Sequence, residues 1–328
     1  MTGKDMHLAE DIFGDLEKKP SRDGFGKGLV ELGEKDENIW VLTADVSGST
    51  RTNWFADRFP KRFVQIGVAE QNMAGVAAGI AACGKTVFLS AYGVFSPGRN
   101  WDQLRVSVCY NDVPVVFHAS HTGLTVGPDG ASHQALEDIA MIRALPNLTI
   151  LVPSDMNQVR KATLAAAAQK KPAYIRSCRE KMPVFTTEET PFEIGKANVY
   201  REGKDVAIFA CGPIVHESLK AAAELEKKGI SCAVVDCHTI KPIDEETIKE
   251  MAKKTGLIIT IEEHQITGGL GGAVAEVLAE AGCPGKLVRH GVQNRFGESG
   301  PALDLLAKYK LDAKGIEEIV SKAANEKK

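Results

Sequence analysis

No stretch of this chain is apolar for long enough to cross a bilayer as a helix. The first residues, MTGKDMHLAEDIFGDLEKKP, contain no apolar signal core and carry several acids. They read as a polar leader over residues 1–19, helical near Leu8 to Leu16. A cytoplasmic protein without membrane contact is the expectation. An excess of one charge is missing too. The formal net charge is −3, which leaves no basic footprint and argues against a nucleic-acid partner. Seven cysteines are present (Cys83, Cys109, Cys178, Cys211, Cys232, Cys237 and Cys283), but no Cys-x-x-Cys pair occurs. An odd, scattered set reads as small buried hydrophobes in a reducing compartment. Short-period repeats and low-complexity tracts are likewise lacking.

What is there is an ordinary globular composition, 44% hydrophobic and 25% charged, over 328 residues. That length suggests two domains. Two blocks of alternating strands and helices are visible. In the first, short apolar runs at 38–43, 62–67, 86–89, 114–119, 148–151 and 173–176 are candidate strands. Candidate helices lie at 70–83, 99–109, 135–144 and 155–170. Continuous apolar runs suit strands buried on both faces, hence a parallel sheet between helix layers. Periodicity fades over 180–197, where Pro, Thr and Glu accumulate. The second block has candidate strands at 205–210, 231–236, 257–262 and 286–289. Its candidate helices are 214–228, 244–255, 271–281, about 299–308 and 314–324. The fold class expected is α/β in two domains, each a mainly parallel sheet flanked by helices. The expected boundaries are 20–183 for the first domain, 184–197 for a linker and 198–328 for the second.

Several motifs carry chemistry. Gly268-Gly269-Leu270-Gly271-Gly272 follows a strand and opens a helix, yet Val274 stands where a dinucleotide fingerprint needs a small residue. Close backbone packing is the better reading. His118, His121 and His133 lie in HASHTGLTVGPDGASHQ with no recognised zinc spacing, so no metal ligand is expected in this chain. That loop, with Asp129 in a Gly/Pro turn, follows a strand at the sheet edge that holds ligands in open parallel folds. It suits hydrogen bonding to a polyhydroxylated substrate. Tyr92, Phe95 and Trp101 flank Gly93, Pro97 and Gly98, so they sit in a loop where an aromatic could stack on a flat heterocycle. Arg22, Arg176 and Arg179 are candidate anion clamps.

Glu70 is the residue hardest to explain by packing. It stands between the apolar run ending at Ile66 and a helix whose inner face is Met73, Val76, Ala77 and Ile80. The helix dipole favours an ionised acid there. Apolar neighbours oppose it. A carboxyl held in that balance can share a proton with a ring nitrogen.

Three segments together, Gly67-Val68-Ala69-Glu70-Gln71-Asn72, the Thr86 to Arg105 stretch, and His121 through Asp129 to His133-Gln134, resemble transketolases in order and spacing. The first block resembles their pyrimidine-binding domain and the second their C-terminal domain. The resemblance implies thiamine diphosphate as cofactor. It implies that Glu70 contacts N1′ of the aminopyrimidine and promotes its imino form. Phe95, with Tyr92 beside it, would stack on that ring. His121 and Asp129 would bond sugar hydroxyls, and His133 would lie near the donor's C1 hydroxyl and carbonyl. Arg22, Ser49 and Arg179 would hold the sugar phosphate. The implied reaction moves a two-carbon ketol unit between phosphorylated ketose and aldose sugars.

A full transketolase also holds magnesium and the diphosphate through a Gly-Asp-Gly sequence and a later Asn. No Gly-Asp-Gly occurs here. The resemblance therefore implies the C-terminal subunit of a two-chain enzyme. An N-terminal partner subunit would bind Mg2+ (or Ca2+) and complete an α2β2 assembly. Rival readings are a 1-deoxyxylulose-5-phosphate synthase-like chain, the β subunit of a 2-oxo acid dehydrogenase E1, and a non-catalytic regulatory subunit. The set Glu70, His121, Asp129, His133 and Arg179 argues against the last.

Overall fold

The computed structural model describes residues 6–326. Its first half contains the strands β1 (Lys18–Pro20), β2 (Ile39–Thr43), β3 (Phe63–Gln65), β4 (Thr86–Tyr92), β5 (Val115–Ser120), β6 (Thr149–Leu151), β7 (Ala173–Arg176) and β8 (Lys181–Pro183). The second half adds β9 (Asn198–Arg201), β10 (Val206–Ala210), β11 (Cys232–Asp236), β12 (Thr239–Lys241), β13 (Leu257–Gln265) and β14 (Lys286–Val292). A seven-stranded sheet runs β12-β6-β7-β5-β4-β2-β3, and a five-stranded sheet runs β14-β13-β10-β11-β9. Both are parallel apart from one antiparallel edge each, β12 on β6 and β9 on β11. The two-domain, mainly parallel α/β expectation holds.

The central strands explain themselves. Every residue of β5, β10 and β11 is buried, so alternation of polar and apolar residues is absent because neither face meets water. Helices cover both sides: α1 (Arg22–Lys35), the short α2 (Ser47–Thr50) and α3 (Asn53–Arg58), α4 (Glu70–Ala82), the one-turn α5 (Trp101–Gln103), α6 (Asp138–Arg143) and α7 (Met156–Gln169) around the first sheet. Around the second lie α8 (Ile214–Lys227), α9 (Glu245–Thr255), α10 (Leu270–Glu280), α11 (Ala302–Lys308) and α12 (Ala313–Asn325). Asp155, Asp244 and Asp312 cap α7, α9 and α12 by accepting from the amide three residues on. α1 lies so close to α7 that a methyl on Gly24 would collide with the Met156 carbonyl, which fixes the helix that starts with Arg22.

The second half reaches into the first. β12 closes the edge of the larger sheet, and one hydrophobic cluster joins Leu89, Phe117 and Tyr174 to Phe209, Val235 and Ile258. Burying each such side chain contributes about 1.5–3 kcal/mol.

Some local expectations change. Residues 8–16 form turns, not a helix. Leu8 bridges to Thr186, Ile12 is buried against the second half, and β1 pairs with β8, so this segment is docked by its few apolar residues. The helix expected over 99–109 is a single α turn followed by a wider π turn at Leu104–Tyr110. Cys83 is exposed, whereas five of the other six cysteines are buried and all are free. α1 was not anticipated.

Candidate active site

The Glu70 carboxylate begins α4, right after a chain reversal at Gly67, whose φ of +85° few side-chain-bearing residues tolerate. Glu70 is only 4% exposed. The neighbouring loop is tied to it: Asn100 donates to the Glu70 carbonyl at 3.3 Å and to Ser96 Oγ at 3.0 Å. One nitrogen of Arg99 donates to both carboxylate oxygens at 3.0 Å. The same guanidinium lies 4.0 Å above the Phe95 ring. Glu70 and Arg99 line an open cleft of about 620 Å³ with Val68, Ala69, Gln71 and Asn72.

From Phe95 a line of contacts leads along the carboxyl ends of β4 and β5. Phe95 meets the edge of His133 at 5.3 Å and stacks loosely on Tyr92 at 6.1 Å. Tyr92 stacks on His121 at 4.0 Å. His121 follows β5 with φ of +57°, a left-handed conformation that costs of order 1–2 kcal/mol for a residue with a side chain. Its Nε2 accepts from Arg22 at 2.8 Å, and its Nδ1 lies 2.8 Å from Ser120 Oγ. Arginine can only donate, so the ring must be neutral with the proton on Nδ1. Electrostatics agree. Burial, then Arg22, Arg179, His133 and Arg51, pull His121 down to about 3. Burial and the charge of Arg51 lower Arg22 as well. The buried Nε of Arg22 has no partner among the described residues, which leaves a donor free for an anion.

Arg179 donates to the Val126 carbonyl at 2.8 Å and pairs with Asp129 at 3.4 Å. His133 Nδ1 lies 2.9 Å from Ser132 Oγ. Thus Arg22, Tyr92, Phe95, His121, His133 and Glu70 form one connected row, with Arg179 and Asp129 paired beside it. Ser49 lies on α2 and, among the described residues, makes no hydrogen bond to these groups. Arg176 is no anion clamp: it is buried and held by Asp138 at 2.7 and 2.9 Å. His118 is also internal, stacked at 3.6 Å on Phe25 and bonded to Ser90 and Ser177. Trp101 donates to the Met141 carbonyl rather than lining the cleft.

Sequence reasoning overlooked two residues. Arg99 was hidden by the irregular loop, and Arg51 has only its nearness to Ser49 as a signal. Arg51 joins the cluster from the end of α2, where Asp23 holds it at 2.7 Å. The Gly268–Gly272 turn does bind an anion, but an internal one: Leu270 and Gly271 amides donate to the Glu262 carboxylate at 2.7 and 2.8 Å. Among the described residues there is no cluster suited to a metal ion and no helix long and apolar enough to cross a membrane.

The site suits one end of a flat nitrogen heterocycle. A buried carboxylate and an aromatic face converge on one planar group, and a planar cation fills that place in this structure. Groups for a diphosphate or metal do not converge here.

Residues 17–184 match the description "Transketolase, pyrimidine binding domain" and residues 195–316 match "Transketolase, C-terminal domain". A Methanocaldococcus jannaschii protein named for the C-terminal section of a transketolase is 47% identical over 300 residues, covering 91% of this chain and 94% of its own. The 6-deoxy-6-sulfo-D-fructose transketolase subunit of a Clostridium species is 40% identical over 301 residues, covering 92% and 93%. A solved split gene transketolase, described as an inactive β4 tetramer, superposes with a TM-score of 0.87 at 45% identity over 93% of this chain and 98% of that one.

Proposed function

This chain belongs to the transketolase family, in which it corresponds to the C-terminal subunit of a split, two-chain enzyme, and from that membership we propose that it transfers a two-carbon ketol unit between phosphorylated sugars when joined to an N-terminal partner. The observation that carries the reading is the buried Glu70 carboxylate facing a cleft beside the Phe95 ring. When bound, thiamine diphosphate supplies the carbanion chemistry of the reaction.

The chain's own residues bind, orient and move protons. Glu70 would hold the aminopyrimidine by its N1′ edge, sharing with that nitrogen the proton whose position sets the ring's tautomer. Phe95, backed by Tyr92, offers the stacking face. Neutral His121 would exchange its contact with Arg22 or Ser120 for a sugar hydroxyl, and Asp129 offers an acceptor. His133, at the edge of Phe95, is placed to hold or pass a proton at the donor's C1 hydroxyl and carbonyl. Arg22 and Arg179, with Arg51, supply the positive field for the terminal phosphate, and Ser49 on α2 would add a neutral hydroxyl donor. The same field suits a sulfonate, so a screen of donors includes both.

An N-terminal subunit carrying the diphosphate and Mg2+ or Ca2+ site completes the active site across the interface, in an α2β2 assembly in the cytoplasm. The outer face of α4 supports such docking. Val68 is 70% exposed beside Glu70, and Gly75 and Gly79 present open backbone to solvent.

The test is co-expression with a partner whose sequence carries Gly-Asp-Gly and the later Asn, then a donor and acceptor screen with thiamine diphosphate and Mg2+. Glu70→Ala in the purified complex is expected to cut turnover by at least about 100-fold with unchanged elution volume. Wild-type rates in that variant would remove the mechanism.

A further inference from the structure

We propose that Arg99 is a placeholder for the cofactor's aminopyrimidine, filling its position on Phe95 and Glu70 until the cofactor displaces it. The inference rests on the role proposed for Glu70 and goes beyond it, because it makes the empty and loaded states of the site compete for the same groups.

The geometry is that of a surrogate. The guanidinium is flat and carries nitrogen donors, as a protonated aminopyrimidine edge does. It lies 4.0 Å over the Phe95 ring and donates to both Glu70 oxygens at 3.0 Å. Tyr92 is stacked beside the same ring and His133 meets its edge, so the aromatic has few other approaches. Among the described residues no other group bonds the Glu70 carboxylate. Without Arg99, a buried acid would face the cleft unpaired.

Departure is also built in. The Arg99 side chain is 48% exposed, although its carboxylate partner is buried. On either side the loop is pinned: Ser96 and Asn100 are buried and bonded to each other, and Asn100 is bonded to the Glu70 carbonyl. Rotation of this one side chain outward to solvent therefore uncovers the Phe95 face while the loop stays in place. Its ion pair and ring contact then become a tax on cofactor affinity, because the apparent dissociation constant is the intrinsic one divided by the fraction of open sites.

The experiment is a calorimetric titration of the two-subunit complex with thiamine diphosphate and Mg2+. Arg99→Met removes the charge and the donors but keeps the length. It is expected to tighten binding by about three- to tenfold, the strength of one half-exposed ion pair plus a cation–π contact. Arg99→Lys retains a charge without a flat face and is expected to fall between. In a Glu70→Gln background, Arg99→Met is expected to change affinity much less, since the arginine has lost its anion. Unchanged or weaker binding by Arg99→Met, with Glu70→Gln itself impaired in turnover, would overturn the placeholder while sparing the role of Glu70. Wild-type affinity and turnover in Glu70→Gln would overturn both. Thermal unfolding of each variant separates these results from misfolding.

Discussion

Carboxylates are buried in two regions of this molecule, and they are treated differently. At the seam between the two halves, Asp138 takes both a Tyr174 hydroxyl and the Arg176 fork, all at 2.7–2.9 Å. Glu262 takes two amides at the start of α10, and Glu263 takes the amide and hydroxyl of Thr125. Those donors are backbone or fully enclosed. Glu70, equally buried, leans on one donor at the end of a long, half-exposed stem. The difference teaches that burial alone does not mark a reactive acid. An acid saturated by donors that cannot leave holds structure. An acid whose partner can be replaced, at the wall of a cleft, is available to a ligand.

The sharpest way to break this contrast is to delete an acid from the seam. Asp138→Ala strands the Arg176 charge and is expected to cost about 3–5 kcal/mol by urea denaturation. Glu70→Ala is expected to change stability by under about 1 kcal/mol, because its exposed partner can turn to water. Comparable losses at the two positions would erase the distinction.

Next comes pH. Burial pushes Glu262 and Glu263 up to about 7. Each therefore binds its proton more readily in the folded chain than when unfolded, near 4.5. Their contribution to stability is full below that value and is lost as pH rises toward 7. Glu263→Gln, which cannot ionise, is expected to flatten the fall of the urea midpoint between pH 4.5 and 7.5. An unchanged slope would mean that Glu263 is already ionised when folded.

The smallest effect concerns substrate. Arg179 is half-exposed, held by one bond to the Val126 carbonyl and a 3.4 Å pair with Asp129, so Arg179→Ala is expected to raise KM for phosphorylated sugars about tenfold with little change in the urea midpoint. A loss of folding with unaltered KM would move Arg179 to the structural group.

Much of this contrast was readable in the chain. Glu70 stood out because an acid interrupts an otherwise apolar strand-to-helix passage, and α4 begins where the pattern places it. The Gly-rich setting after a strand foretold where His121, Asp129 and His133 lie, beyond the carboxyl end of β5. Arg176 was misjudged as a clamp because its partner, Asp138, lies 38 positions away and only the fold joins them. Arg99 could not be assigned, since the Ser96–Gly98 turn has no period to set a register. α1 was missed because its apolar stripe is diluted by Gly24, Gly26, Gly28 and Gly33, which serve close packing rather than hydrophobicity.

The strand β12 has a consequence for how such a chain could be taken apart. It belongs by position to the second half yet finishes the sheet of the first. Cutting the polypeptide between residues 184 and 197 would strip β6 of its neighbour and leave a raw row of amides and carbonyls inviting aggregation. The two halves are therefore not interchangeable cassettes: recombination at that joint would trade away a piece of one partner's architecture.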